Sequence, residues 1–231
     1  MKRGQSHWRP GKAMLGVSVV STILLLGSFA PSEAQEPVPA GQVVWQHVGR
    51  IYLNPSTGKA VYAGYVVHLN GISTSLFNGA PSEATAFFTF STDVLSLTPL
   101  PSNGDVALYL VSAGTFNVYY NTNPDGDWSN PNTFSSGQLI ATFARHQSLF
   151  PEFTPIGIHS LSETLMSSQK FTFNGQAFSF KCIAPHGITF ASFFSTTALT
   201  TGLTDYPVAF AAAGTTIAVG GKLSALGPST E

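Results

Sequence analysis

The residues best placed to do chemistry in this 231-residue chain are His159, Glu163 and His186. A carboxylate held beside two imidazoles and away from water has shifted proton affinities, which prepares it for acid–base work or metal ligation. What brings the three together is a reversal in the segment Lys170 to Phe180. Asn174-Gly175 suits a two-residue type I′ turn, whose central positions both need positive φ. Such a turn pairs Phe173 with Gln176 and Phe171 with Phe178. Residues directly opposite, or two apart on one strand, share a face of the sheet. Phe171, Phe173, Phe178, Phe180 and Cys182 therefore crowd one side, which is expected to be buried because exposing each ring costs roughly 2 kcal/mol. Continued without a bulge, the same register adds His159, Leu161, Glu163 and Leu165 to that side and sets Glu163 opposite His186. A ladder of that length would span ~35 Å, longer than most strands. Pro185 also interrupts it, and a single bulge would turn the set outward.

A second set depends on the parity of one loop. If the loop between the first two strands has an even number of residues, Leu53 faces Ala60. His68 then faces Trp45 and shares a side with His47 and Val66. An odd loop puts the two histidines on opposite faces. Pointing inward, Trp45, His47 and His68 would line one cavity with Phe171, Phe173, Phe178 and Phe180, a ligand site with a few polar groups. The chain has neither His-x-His nor His-x-x-x-His, so its spacing gives no zinc pattern.

Asn121, Asn123, Asp125 and Asp127, with Gly126 in sixth place, resemble the start of a calcium loop, since alternating oxygen side chains suit a hard cation. Asn132 stands where a closing Glu would be expected, and the prolines and glycine serve a plain polar loop equally well. No other cofactor is indicated. Trp128 in this loop is a candidate to stack on a sugar ring or to guard a barrel mouth. Nucleophile patterns are weak: there is no Gly-x-Ser-x-Gly and no phosphate-cradling glycine loop. Cys182, on the phenylalanine side, reads as an inert core thiol.

These residues need a scaffold, and the sequence describes a β one. Runs rich in β-branched and aromatic residues are separated by turn clusters. Strands are expected at 43–53, 59–69, 84–92, 106–113, 115–121, 138–145, 158–174, 176–183, 187–196 and 207–219. No segment keeps a 3.6-residue apolar period long enough for a confident helix, although 160–168 admits a short one. About ten strands with short links give an all-β fold, an antiparallel β-barrel or alternatively a two-sheet sandwich. The stretch 121–137 is too long for a hairpin turn and is expected to be a functional loop.

Composition narrows the class. Only 9% of residues are charged and 43% are hydrophobic, so the chain folds rather than stays disordered. Lys2, Arg3, Arg9 and Lys12 precede an apolar run from Ala13 to Ala30, and Ser32 and Ala34 then provide small residues for cleavage. This order predicts a Sec-type secretory signal peptide over residues 1–34, removed after Ala34, and a secreted or periplasmic protein. No arginine pair marks a twin-arginine signal, and no cysteine near the cleavage site offers a lipid anchor. A Pro-rich lead (35–42), a single β domain (43–221) and a C-terminal tail (222–231) follow. Removing those four basic residues and Glu33 from ten basic and eleven acidic residues leaves a net charge of −4. That surface argues against nucleic acid as a partner. No later segment has the ~18 apolar residues of a membrane span. An aromatic-lined barrel then leads to a binding module for a small, largely apolar ligand. The alternatives are a cofactor-free isomerase or cyclase using His159, Glu163 and His186 in the same cavity, or a structural or cell-surface interaction protein.

Overall fold

A computed structural model of the chain describes Met1 and residues 36–220. The signal-peptide reading of 1–34 and the tail 222–231 lie outside the described residues. The strands are β1 (Val43–Asn54), β2 (Lys59–Leu69), β3 (Phe88–Thr92), β4 (Leu95–Asn103), β5 (Val106–Val111), β6 (Gly114–Tyr120) and β7 (Gln138–Arg145). They continue as β8 (Ser148–Phe153), β9 (Ile156–Ser168), β10 (Phe171–Phe173), β11 (Gln176–Phe178), β12 (Ile188–Ser195), β13 (Leu199–Thr200) and β14 (Val208–Ala218), with one short helix, α1 (Phe180–Ile183).

Antiparallel pairing closes a barrel of eight strands in the order β1-β2-β3-β6-β7-β9-β12-β14 and back to β1. Beyond short breaks after β3, before β6 and after β7, strands β4, β5 and β8 take over the wall. They are tied to β2 on one side and β9 on the other. The expected barrel is therefore the observed fold. No helix among the described residues is long and apolar enough to cross a membrane.

Alternation dictates what faces inward. Along β9, Gly157, His159, Leu161 and Glu163 are buried while Ile156, Ile158, Ser160 and Ser162 are exposed. Along β1, Trp45, His47 and Gly49 point in, and β2 supplies Val66 opposite His47 and Tyr62 opposite Ile51. An eight-stranded barrel is just wide enough for side chains to fill, and here aromatic rings fill it. Trp45, Phe88, Phe90, Phe116, Phe143, Phe180 and Phe190 are all essentially inaccessible to solvent.

One end, the base, is sealed by the link between β9 and β12. Asn174 (φ 49°) and Gly175 (φ 79°) make the expected tight turn, and Phe171 pairs with Phe178 as the register requires. The Phe171 ring lies 5.6 Å from Phe88 and 5.7 Å from Tyr120, and Phe173 lies 5.2 Å from Phe88. Phe180 meets Trp45 edge-on at 5.7 Å. All four phenylalanines are buried.

The ladder does not run on as expected. β11 ends at Phe178, and Ser179, whose hydroxyl accepts from Lys181 N at 3.2 Å, starts the turn of α1. A side-chain cap of this kind favours the helical turn over an extended strand. Cys182 is consequently exposed rather than a core thiol. Three strands were not expected at all: β4, β8 and the two-residue β13. Pro99 and Pro101 in β4 and Pro151 in β8 argue against strands in the sequence. They are tolerated because β5 is the one ladder partner around them: β4 meets β2 only at Leu95 and Ser96, and β8 meets β9 only at Glu152 and Phe153.

Candidate ligand-binding cleft

The opposite end of the barrel, the mouth, is open. A cleft of about 690 Å³ lies there between the end of β1, the turn 55–58, β4, β5, β8 and the end of β12. Its wall is mostly apolar: Ile51, Leu53, Leu97, Pro99, Tyr109, Phe150, Phe194 and Phe210. Ser56, Thr57, Thr98, Glu152, Ser195 and Thr196 supply the polar groups.

Each wall residue has a local reason to be there. Ile51 and Leu53 extend the inward alternation of β1 past Gly49. Phe150 is buried against Phe194 edge-on at 5.5 Å and lies 5.9 Å from Tyr109. Gly157 makes room for it, since a Cβ at that position would stand 2.5 Å from the Phe150 ring. The turn from β1 to β2 is held by Asn54, whose side-chain oxygen accepts from Ser56 N at 3.1 Å and whose carbonyl accepts from Gly58 N at 2.9 Å.

Beneath the cleft lies a second, much smaller void of about 20 Å³. Ile51, Leu97, Phe150 and Phe194 line both spaces, and Arg145 and His159 face the lower one. Arg145 Nε donates to Glu163 Oε1 at 3.1 Å, an ion pair with almost no solvent access. His159 Nε2 and Ser148 Oγ are 2.8 Å apart. Burial, with Arg145 adding to it, pushes the His159 imidazole down to about 3, so it is neutral at physiological pH. Burial pushes the Glu163 carboxyl up, and the adjacent guanidinium works against that shift.

The proposed trio is only half assembled. His159 and Glu163 both point inward from β9, but Glu163 pairs with Ile188, not with His186. His186 is exposed and packs beside Gly220. The reason is α1, which ends the hairpin ladder before His186 can reach β9. A proton relay through all three residues is not formed.

The loop between β1 and β2 is even, and Leu53 does face Ala60. A bulge at Val67 then shifts the register, so His68 faces Gln46 and is exposed instead of facing Trp45. Trp45 and His47 are interior. His47 stacks on Phe190 at 4.8 Å, and its Nε2 is 2.7 Å from Ser192 Oγ. Burial pushes it down to about 3 as well. Burial also raises the Tyr62 hydroxyl, with Ser192 acting in the opposite direction. Neither Trp45, His47 nor the four hairpin phenylalanines line the mouth cleft. They are the packed filling below it.

In the long loop, Asp125 Oδ1 accepts from Asn121 Nδ2 at 2.8 Å and from Ser136 Oγ at 2.7 Å. Asp127 accepts from Ser129 N and Oγ, and Asn121 Oδ1 from Asn123 N. These oxygens are engaged in local turn contacts. Among the described residues no group of three or more His, Cys, Asp or Glu could hold a metal ion. Trp128 is away from the mouth. It covers Phe134 (4.8 Å), Tyr65 (5.8 Å) and the Arg50 guanidinium (4.7 Å), and its carbonyl accepts from the Tyr52 hydroxyl.

Sequence reasoning missed most of the cleft. Ile51 and Leu53 could have been found by carrying the β1 alternation two steps further. Arg145 was signalled by its place two residues after the inward Phe143 at a strand end. Tyr109, Phe150 and Phe210 carry no signal without the register. Comparison with known proteins finds no family model, no curated protein and no solved structure that matches this chain.

Proposed function

We propose that this protein is a binding module for a small, largely apolar molecule, held at the barrel mouth. The carrying observation is the contrast between the two ends. The base is filled with aromatic rings, whereas the mouth keeps a cleft of about 690 Å³ with an apolar wall and a few polar groups. That volume and lining are those of small-molecule sites. The leader over residues 1–34 supports a role outside the cytoplasm, and the mass of the exported protein, lacking those residues, tests it.

Native mass spectrometry of the purified protein, joined to a titration with Nile red, tests the binding. The expected result is a co-purifying small molecule or a saturable one-to-one fluorescence rise that apolar competitors reverse. Absence of both overturns the proposal.

A further inference from the structure

The small void beneath the cleft is bordered by an unmet hydrogen-bond donor. Arg145 uses Nε on Glu163, but its Nη1 has no hydrogen-bond partner among the described residues, although the side chain is only 3% exposed. Native proteins rarely leave a buried charged donor unpaired, because its lost hydration is not replaced. The void that Arg145 lines, at about 20 Å³, has room for one oxygen-sized group. Its other walls include Phe116, Phe190 and the neutral His159, so a ligand oxygen there has the guanidinium as its charged partner.

We propose that the ligand is an apolar molecule bearing a neutral carbonyl group, whose oxygen enters this void and accepts from Arg145 Nη1. The inference rests on the reading of the mouth cleft as the binding site. Phe150 and Phe194 touch both spaces, so in this arrangement they would flank the ligand where its apolar body gives way to its oxygen. A neutral acceptor fits better than a carboxylate. The Glu163 carboxyl already occupies Arg145 Nε, and the rest of the void wall is mostly apolar, so a carboxylate would carry a full charge into a desolvated space beside a second carboxyl group.

Displacement of Nile red from the protein by three eight-carbon competitors tests this: methyl hexyl ketone, octanoate and octene. The ketone is expected to bind about tenfold or more tightly than octene, the gain of a hydrogen bond to a charged donor. Replacing the pair together, Arg145→Met with Glu163→Met, strands no charge and is expected to bring ketone and octene within about twofold while octene binding is kept. Arg145→Lys is the second variant: it keeps a positive charge but withdraws the forked donors, and it is also expected to lower the ketone preference. Equal binding of ketone and octene by the wild type overturns the carbonyl proposal and leaves the apolar cleft standing. Octanoate binding tightest also overturns it, in favour of an anion. Loss of octene binding along with the ketone in a folded variant shows that Arg145 serves the cleft's structure, and overturns it too. If Nile red does not bind and no small molecule co-purifies, the cleft reading itself fails.

Discussion

Phe180 and Tyr109 stand at opposite ends of the barrel, and their truncations should separate stability from binding. Phe180 is 1% exposed, with its ring edge-on to Trp45 at 5.7 Å and to Phe143 at 5.9 Å. Phe180→Ala removes a ring from a site that cannot collapse, a change that costs about 3–5 kcal/mol. For a domain of this size that is a fall in melting temperature of roughly 6–20 °C. Tyr109 is half-buried at the cleft wall, so Tyr109→Ala is expected to cost only about 1 kcal/mol in stability. It withdraws one side of the ligand's surroundings, worth about 1–2 kcal/mol of apolar contact, or roughly five- to thirtyfold in affinity. Urea unfolding and Nile red titration, both run well below the melting transition, read the two effects separately. The reasoning is refuted if folded Phe180→Ala loses as much affinity as Tyr109→Ala, or if Tyr109→Ala binds like the wild type.

Acid should weaken the fold. His47 and His159 are each pushed down to about 3 from an ordinary 6.5, so their stabilisation is complete above pH 6.5 and is lost as pH falls toward 3. Each contributes a slope of about 1.4 kcal/mol per pH unit in that window. Glu163, raised by burial, runs the other way: its contribution is full below its ordinary 4.5 and falls as pH rises. The net expectation between pH 6.5 and 5 is a loss of about 1–2 kcal/mol, seen as a lower urea midpoint; a constant or rising midpoint contradicts it. At Gly214 a Cβ would lie 2.8 Å from His47 Nε2 and overlap the Ser192 hydroxyl and the Ala191 carbonyl. Gly214→Ala should therefore destabilise by about 1–3 kcal/mol in a thermal melt, and a neutral effect would show that this polar core is loosely packed. Calcium or a chelator should move the melting midpoint by less than about 1 °C, because the loop carboxylates already accept local hydrogen bonds; a rise of several degrees with calcium would reverse that view.

Where the physics is local, the fold was legible in the residues. Asn174-Gly175 specified its turn, and alternation along β9 put His159 and Glu163 inside. β2 and β7 run over the expected residues. What could not be read depends on contacts between distant strands. The bulge at Val67 that turns His68 outward has no marker in its neighbours. The cap at Ser179 competes with a strand pattern that is equally good on its own. The prolines of β4 and β8 mislead because their cost vanishes where one ladder side is vacant. The aromatic cluster was rightly buried, but burial alone does not distinguish the filling of a small barrel from the lining of a cavity. That distinction came from the base and mouth, which are set by topology.

The most direct test is where a bound probe sits. Intermolecular nuclear Overhauser contacts between Nile red and the aromatic side chains of the labelled protein report this at once. The account predicts contacts to Tyr109, Phe150, Phe194 and Phe210 and none to Phe171, Phe173 or Phe178. Contacts to the hairpin phenylalanines, with the mouth rings silent, would contradict it.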